Sequence, residues 1–270
     1  MSVSETATGI DRIAAAFTGH GRRAALMPYL MGGFPSVAES ARIAQAYVDG
    51  GADLIEFGLP FSDPLADGPV IHGAAVEALA NGAVIDKVLT TLPPIAQQVP
   101  TLVMTYFNLI EAQGVERFIG RIAEAGVSGL IAPDIPLEES APLLEACDDN
   151  GLALIPLIAP TTPDQRIAAI CAQARGFIYT VSVLGTTGER TATAEGLAEL
   201  VGRVRAHTDL PVAVGFGISD TEQASRVADV ADGAIVGTRL VRETGERQRN
   251  GEDPVPAVEA LVREFAAALS

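Results

Sequence analysis

The chain has 270 residues, 48% of them apolar, and its 18 basic and 34 acidic side chains give a formal net charge of −16. So acidic a chain is poorly suited to bind a nucleic-acid backbone or an anionic membrane, and we expect neither partner. The chain shows neither a signal-peptide pattern nor a long uncharged apolar run, which favours a cytoplasmic protein without a membrane span.

The first elements in chain order are a short helix, a strand and a second helix. Residues 8–17 have apolar positions at helical spacing, and residues 25–31 form an apolar run closed by glycines and a proline. Ser36 is followed three residues later by Glu39, the pattern of a capping box, and Gly50 is suited to end the helix that follows. This strand-then-helix pattern predicts the unit from which the rest of the chain is built.

The same unit recurs to the C-terminus. Helices are predicted over residues 72–80, 84–97, 115–125, 138–150, 163–174, 193–207, 220–231 and 256–269. After the first strand, further strands are predicted at the run ending in Glu56 and over residues 101–107, 129–136, 153–160, 176–183, 211–218 and 233–236. Eight apolar strands alternating with helices predict an α/β fold, a (β/α)8 TIM barrel with an extra N-terminal helix, in a single domain spanning residues 1–270. An open doubly wound sheet is the alternative, disfavoured because no GxGxxG motif follows the first strand.

The most informative stretch is residues 56–69, EFGLPFSDPLADGP, where a buried strand ends in a stiff acidic loop. Glu56 shares one face of its strand with Leu54 and Gly58, which is the interior face if those two residues point inward. Burial of a carboxyl group raises its pKa into the range useful for proton transfer, so Glu56 is the candidate general acid or base. Asp67 is a second candidate on the constrained loop, whereas Asp63 alone is better interpreted as a turn residue.

Glycine-containing loops follow three late strands and suggest a phosphate site. Residues 185–188 read GTTG, residues 215–219 read GFGIS, and Gly237-Thr238 opens a helical segment. Barrels of this kind commonly hold phosphate with the loops after strands seven and eight and a helix N-terminus, where backbone N–H groups approach the anion. Such a site would need no lysine. The long polar loop 185–196 has the composition of a lid, and Tyr29, Tyr106 and Phe216 could stack on an aromatic ligand.

Neither a haem site nor a zinc site is indicated by the residues. The three histidines, His20, His72 and His207, lie far apart in sequence and lack ligand-like neighbours. The two cysteines, Cys147 and Cys171, both lie in helical segments, which favours buried thiols over a disulfide.

Nearly the whole chain, from about residue 10 to its end, resembles one family, the tryptophan synthase alpha chain. The motifs that carry the resemblance are IEFGLPFSDPLADGP (residues 55–69), DIPLEES (134–140), LGTTGER (184–190) and GFGIS (215–219). The resemblance implies a lyase of tryptophan biosynthesis that cleaves indole-3-glycerol phosphate to indole and glyceraldehyde 3-phosphate by a retro-aldol reaction, without a metal or cofactor of its own.

The resemblance also implies roles for individual residues. Glu56 matches the general acid and base, and Asp67 matches the acid that interacts with the indole N–H. Pocket positions match Tyr29, Tyr106, Tyr179 and Phe216, with Thr187 as a lid residue. Phosphate-binding positions match Gly188, Gly217, Gly237 and Thr238.

The family implies a partner as well, a beta chain that carries pyridoxal phosphate, in an α2β2 heterotetramer. Its docking face would be formed by Pro60, Asp63, Asp134 and Pro136. Two other functions stay open on the residues alone: another phosphosugar-barrel enzyme, such as an isomerase or a prenyl transferase, and a non-catalytic subunit that only activates a beta-type enzyme.

Overall fold

The structure, a computed structural model, describes residues 7–181, 194–215 and 217–270. Nine strands occur in these ranges, and all their pairings are parallel. The strands are β1 Ala25–Met31, β2 Ile55–Gly58, β3 Thr101–Met104, β4 Gly129–Ile131, β5 Ala153–Leu154, β6 Leu157–Ile158, β7 Ile178–Val181, β8 Val212–Gly215 and β9 Gly233–Val236. The neighbour order is β5-β4-β3-β2-β1-β9-β8-β7-β6.

The sheet closes into a barrel through the segment that contains β5 and β6. These two strands stand at opposite ends of the neighbour order, yet only Ile155 and Pro156 separate them in sequence. Ile155 donates its N–H to Leu130 of β4 at 2.9 Å, and Pro156 accepts the N–H of Tyr179 of β7 at 3.1 Å. One extended segment therefore changes neighbours at Pro156 and joins the two edges of the sheet. Because β5 and β6 belong to this one segment, the nine strands occupy eight positions around the barrel. The TIM barrel is confirmed, and the open sheet is excluded.

The prediction of a single strand over residues 153–160 was wrong, because the structure has two short strands there, β5 and β6. Pro156 has no N–H to donate, so the ladder is interrupted where the segment passes from one neighbour to the other. The third strand was also predicted too long. It ends at Met104, and a short helix begins at Phe107.

Helices surround the strands. They are α1 Gly9–Thr18, α2 Val37–Asp49, α3 Pro69–Ala80, α4 Ile85–Leu89, α5 Pro93–Ala96, α6 Phe107–Gln113, α7 Val115–Glu124, α8 Ala141–Asp149, α9 Asp164–Gln173, α10 Ala194–Arg205, α11 Thr221–Ala228, α12 Thr238–Arg249 and α13 Val255–Ala268, with a 3-10 turn at Leu137–Glu139. The predicted helix over residues 84–97 is divided, because Pro93 has no N–H to donate to the carbonyl of Leu89, four residues earlier, where α4 ends.

Local signals in the sequence set several helix ends. Ser36 accepts the Glu39 N–H at 3.2 Å and Gly50 ends α2, so Ser36 is confirmed as the helix cap and Gly50 as the helix end. In place of the reciprocal backbone bond of a capping box, the Glu39 carboxylate accepts the Ser36 hydroxyl at 2.9 Å. Asp220 caps α11 by accepting the Gln223 N–H at 2.8 Å. Both cysteines are buried free thiols, as predicted.

The N-terminal helix α1 packs at the N-terminal end of the barrel. Ile13 and Phe17 are buried there, and the Phe17 ring lies 5.3 Å from that of Phe177, centroid to centroid. Gly9 donates its N–H to Gly151 at 2.8 Å, and a Cβ added at Gly9 would lie 2.3 Å from the Ser128 carbonyl oxygen. The extra helix thus covers one end, and the functional cleft lies at the other. No helix in the described part of the chain is long and apolar enough to cross a membrane.

Candidate active site

A cleft opens at the C-terminal ends of the strands, with an empty volume of about 440 Å³ that includes its mouth. Its lining combines two acids, two tyrosines, glycines and apolar side chains. These are Tyr29, Glu56, Asp67, Ile71, Met104, Tyr179, Gly217, Ile218, Ile235, Gly237 and Thr238. Seven of the predicted site residues are therefore brought together from β1, the β2 strand and loop, β7 and the segments after β8 and β9.

Glu56 points into the barrel interior, which the sequence left conditional on the phase of the strand. It is paired in register with Tyr29 on β1 and Leu102 on β3, and its exposed fraction is only 1%. Burial, followed by repulsion from the Asp67 charge, raises the pKa of Glu56 to about 8. Its Oε2 atom has no hydrogen-bond partner among the described residues. The carboxyl group is thus protonated at neutral pH and faces the cleft.

Asp67 lies on the loop after β2, half-buried, next to the first turn of α3. Burial raises the pKa of Asp67, whereas a hydrogen bond from Tyr106 and the charge of His72 lower it. Two carboxyl groups that repel each other in one cleft do not ionise independently. With burial complete at Glu56 and partial at Asp67, Asp67 is the acid that carries the charge while Glu56 keeps its proton.

Tyr106 holds the loop that carries Asp67. Its hydroxyl oxygen accepts the Ala66 N–H at 3.0 Å, and its ring lies 5.3 Å from that of Phe61. Burial is the main cause that raises the pKa of Tyr106 to about 12, with the Asp67 charge adding to it. Tyr106 is therefore a neutral donor at any physiological pH. Its contact with Phe61 was not predicted, since stacking across two loops leaves no periodic pattern in the sequence.

Tyr29 and Tyr179 form buried walls of the cleft. Burial raises the pKa of both hydroxyl groups well above the ordinary value, with the charges of Asp67 and Glu56 as further causes. Each ring occupies space left by a glycine on the next strand, Gly58 for Tyr29 and Gly215 for Tyr179. The predicted pocket positions thus lie beside the acids.

The segments after β8 and β9 provide the part of the cleft suited to an anion. Gly217 has a φ of 81°, which a residue with a Cβ rarely adopts. Gly237 directly precedes α12, and Thr238 is its first residue. The first-turn N–H groups of a helix have no acceptor within the helix and carry its positive dipole end, so this end of the cleft favours a phosphate.

The four residues predicted to face a partner lie on the loops after β2 and β4. Asp63, Asp134 and Pro136 are exposed, whereas Pro60 is buried. Asp134 accepts the Phe107 N–H at 2.8 Å and so caps the start of α6. Leu65, on the same loop as Asp63, is 84% exposed, an apolar side chain in open solvent.

Three predicted site residues, Thr187, Gly188 and Phe216, lie outside the described residues, as does most of the predicted lid over 185–196. Among the described residues, the cleft contains four apolar members that the sequence reasoning did not single out: Ile71, Met104, Ile218 and Ile235. Met104 could have been found, because it lies two residues after Leu102 and so shares its face. The others depend on which loops converge.

A second, larger cleft lies between α8 and α9, with an empty volume of about 790 Å³ that includes its open mouth, and it contains none of the candidate catalytic acids. Its lining is mainly apolar and includes Pro136, Leu144, Leu157 and Ile170. The chemistry therefore belongs to the smaller cleft. No cluster of His, Cys, Asp and Glu among the described residues could hold a metal ion.

Comparison with known proteins agrees with this geometry. A family model described as tryptophan synthase alpha chain matches residues 17–270. A tryptophan synthase alpha chain from Methanosarcina mazei is 47% identical over 245 residues, which cover 90% of this chain and 88% of that protein. One from Synechocystis sp. is 44% identical over 266 residues, covering 97% and 100% of the two chains.

Solved structures show the same likeness. The tryptophan synthase subunit alpha from Legionella pneumophila is 33% identical with a TM-score of 0.88, over 98% of this chain and 99% of that chain. A chain of tryptophan synthase from M. tuberculosis in its aminoacrylate-bound form is 36% identical with a TM-score of 0.86, over 96% and 99%.

Proposed function

The chain belongs to the tryptophan synthase alpha chain family, and from that premise we propose how its cleft carries out the family's reaction. It is the indole-3-glycerol-phosphate lyase subunit, which cleaves indole-3-glycerol phosphate in tryptophan biosynthesis. Because the chain belongs to this family, the other two functions that the residues left open, a different phosphosugar enzyme such as an isomerase or a prenyl transferase and a purely activating subunit, are disfavoured. The roles of individual residues, which follow, are our proposal.

The observation that carries the mechanism is the buried Glu56 carboxyl, neutral at pH 7 and open to the cleft. We assign it the proton that is delivered to the indole carbon bearing the glycerol chain. Protonation there makes the ring an electron acceptor. The resulting Glu56 carboxylate then takes the proton of the adjacent glycerol hydroxyl. The carbon–carbon bond breaks, its electron pair returns to the indole, and an aldehyde is released.

Asp67 supports the charged intermediate. Ionised Asp67 accepts a hydrogen bond from the indole N–H, which becomes more acidic when the ring carbon is protonated. A group that interacts more strongly with the intermediate than with the substrate lowers the barrier. The half-buried position of Asp67, held by Tyr106, suits this role.

Substrate binding divides between the two ends of the cleft. Gly217, Gly237 and Thr238 bind the phosphate, and Tyr29, Tyr106 and Tyr179 surround the indole. For Gly188, Phe216 and Thr187, which lie outside the described residues, the roles in binding phosphate, contacting the indole and closing the site rest on the family resemblance alone. No metal or organic cofactor takes part.

The assembly follows from the same premise. The protein works with a tryptophan synthase beta chain. We propose an α2β2 heterotetramer in the cytoplasm, in which the exposed Asp63, Asp134 and Pro136 of a single alpha domain spanning residues 1–270 contact the partner. Pro60, which is buried, stiffens the loop that carries Asp63 instead. Pyridoxal phosphate is expected only in that partner. Light scattering of the purified pair measures the stoichiometry, and a mass other than two copies of each chain would contradict it.

The mechanism is tested by indole release from indole-3-glycerol phosphate. We expect Glu56→Gln to lose at least about 100-fold in kcat, since proton transfer contributes that much or more. Asp67→Asn should also lose most of its activity, because the neutral amide lacks the negative charge that stabilises the indole N–H of the intermediate. Asp63→Asn, on the same loop but exposed, is the matched control. Wild-type turnover in a folded Glu56→Gln variant would refute the assignment.

A further inference from the structure

Tyr29 lies beside Glu56 in the interior layer of the barrel. The two residues are register partners on the adjacent strands β1 and β2, so their side chains leave the sheet side by side on the same face. On the other side of Glu56, its register partner on β3 is the fully buried Leu102. The carboxyl group is therefore placed between an aromatic ring and an aliphatic chain.

The Tyr29 ring reaches along this layer because Gly58 has no side chain. Gly58 is two residues beyond Glu56 on the same face of β2. A Cβ added there would lie 2.1 Å from the Tyr29 hydroxyl oxygen and 2.7 Å from its Cζ atom, far inside contact distance. The hydroxyl end of the ring thus occupies the position of the missing side chain. It covers β2 on the cleft side of the carboxyl group.

This arrangement explains how a strand-end acid stays dry at the mouth of a cleft. Tyr29 is 4% exposed and Glu56 is 1% exposed, although both line an open cleft. Without the ring, the cleft would widen above Gly58 beside the Glu56 carboxyl group, and a widened cavity lined by a carboxyl group takes up water.

We propose that Tyr29 is a positioning residue for Glu56: its ring, seated in the gap left by Gly58, keeps water from the carboxyl group and holds it in the interior layer. The proposal deepens the proposed function, because it concerns the residue assigned there as the proton donor. It requires the ring of Tyr29 and not its hydroxyl group.

Other titratable groups that face Glu56 also influence its titration, so a test must leave them unsubstituted. Among the described residues these are Asp67 on the loop after β2 and Tyr179 on β7, both within electrostatic reach. Tyr106 and His72 act one step further away, through Asp67. None of them is changed by a substitution at Tyr29 or Gly58.

The test measures the protonation of Glu56 directly, apart from activity. The protein is labelled with glutamate enriched in 13C at the carboxyl carbon, and NMR follows the titration of Glu56, identified by its loss in Glu56→Gln. We expect Tyr29→Ala to lower the titration midpoint of Glu56 by at least about one pH unit, because hydration restores the ordinary pKa. Tyr29→Phe keeps the ring and should keep the midpoint. If Tyr29→Ala does not fold, Tyr29→Leu carries the same expectation with a smaller shift.

Gly58→Ala provides the second arm. The added methyl group displaces the ring, so the midpoint should fall as it does in Tyr29→Ala, and combining the two substitutions should lower it no further. Gly73→Ala, on the exposed side of α3 with no atom within 4 Å of the added Cβ, is the matched control.

The proposal is overturned if Tyr29→Ala and Gly58→Ala both titrate at the wild-type midpoint. It is also overturned if Tyr29→Phe shifts as much as Tyr29→Ala, since the hydroxyl group would then be responsible. Failure of the proposed mechanism looks different. In that case the midpoints move as expected while Glu56→Gln keeps its indole release.

Discussion

The hydroxyl oxygen of Tyr106 accepts the backbone N–H of Ala66 at 3.0 Å. This contact ties the segment after β3 to the loop that carries Asp67, so the position of one proposed catalytic acid depends on a residue 39 positions away. The same hydroxyl group donates to Asp67 and stabilises its ionised form. One side chain therefore sets both the place and the charge of the acid.

Tyr106→Phe tests this relationship. The variant leaves the Ala66 N–H without its acceptor and removes the donor to Asp67, so the pKa of Asp67 should rise. We expect kcat/KM to fall about 5- to 20-fold at pH 7, which corresponds to one or two hydrogen bonds. Steady-state kinetics of indole release measures it. Tyr47→Phe, a buried tyrosine outside the cleft, is the control for loss of a phenolic hydroxyl group. Equal effects of the two substitutions would contradict the role of Tyr106.

The stability of the protein should depend on pH through Glu56. Its pKa is about 8 in the folded protein and near the ordinary 4.5 when unfolded, so the folded state binds the extra proton between these values. The stability that this proton contributes is complete below about pH 4.5 and is lost as the pH rises through 8.

Glu56→Gln removes that dependence, because the amide is neutral at every pH. Above pH 8 we expect the variant to be more stable than the wild type, with a higher unfolding temperature and a free energy of unfolding larger by up to roughly 5 kcal/mol. The difference should shrink towards pH 5. Thermal unfolding of both proteins across this range measures it. A wild type that is more stable than the variant at pH 9 would show that burial does not penalise the Glu56 carboxylate.

Thr238→Val tests the phosphate end of the cleft. The valine keeps the size of the side chain but removes the hydroxyl donor at the first residue of α12. We expect the KM for indole-3-glycerol phosphate and the Ki for glycerol 3-phosphate to rise about 5- to 10-fold, with kcat little changed. Thr244→Val is the control on the same helix, where the hydroxyl group bonds Leu240 instead. Unchanged affinity for glycerol 3-phosphate would remove Thr238 from the phosphate site.

Asp53 contributes to the stability of the barrel at the end opposite the cleft. Its carboxylate accepts the Leu26 N–H at 2.7 Å and pairs with Arg22, linking the starts of β1 and β2. Asp53→Ala should cost about 2 kcal/mol and lower the melting temperature by roughly 4–8 °C, since a half-buried arginine and an N–H lose their partner. Turnover at 25 °C should remain, and Asp63→Ala, on an exposed loop, should change neither property. Loss of turnover in folded Asp53→Ala would indicate coupling to the cleft.

Much of the fold could be predicted because its signals are local. Apolar runs of strand length alternate with helical periodicity, and residues such as Ser36 and Gly50 mark helix ends by their own chemistry. The errors lie where tertiary contacts override these signals. Pro156 lies inside an apolar run that reads as one strand, but the segment changes neighbours there. Asp134 accepts the N–H of Phe107, 27 residues earlier in the chain, and so favours the start of α6 there. The sequence predicts that the third strand continues to this position.

For the site, the residue types, their order and the family can be read from the chain before it folds: the motif around Glu56 and Asp67 and the late glycines point to one reaction. That Glu56 faces the interior and keeps its proton follows only from the folded barrel. That outcome depends on Tyr29, Leu102 and Asp67, which three different segments bring against one carboxyl group. A pKa is a property of the surrounding solvent and charges, and these exist only when the barrel is closed.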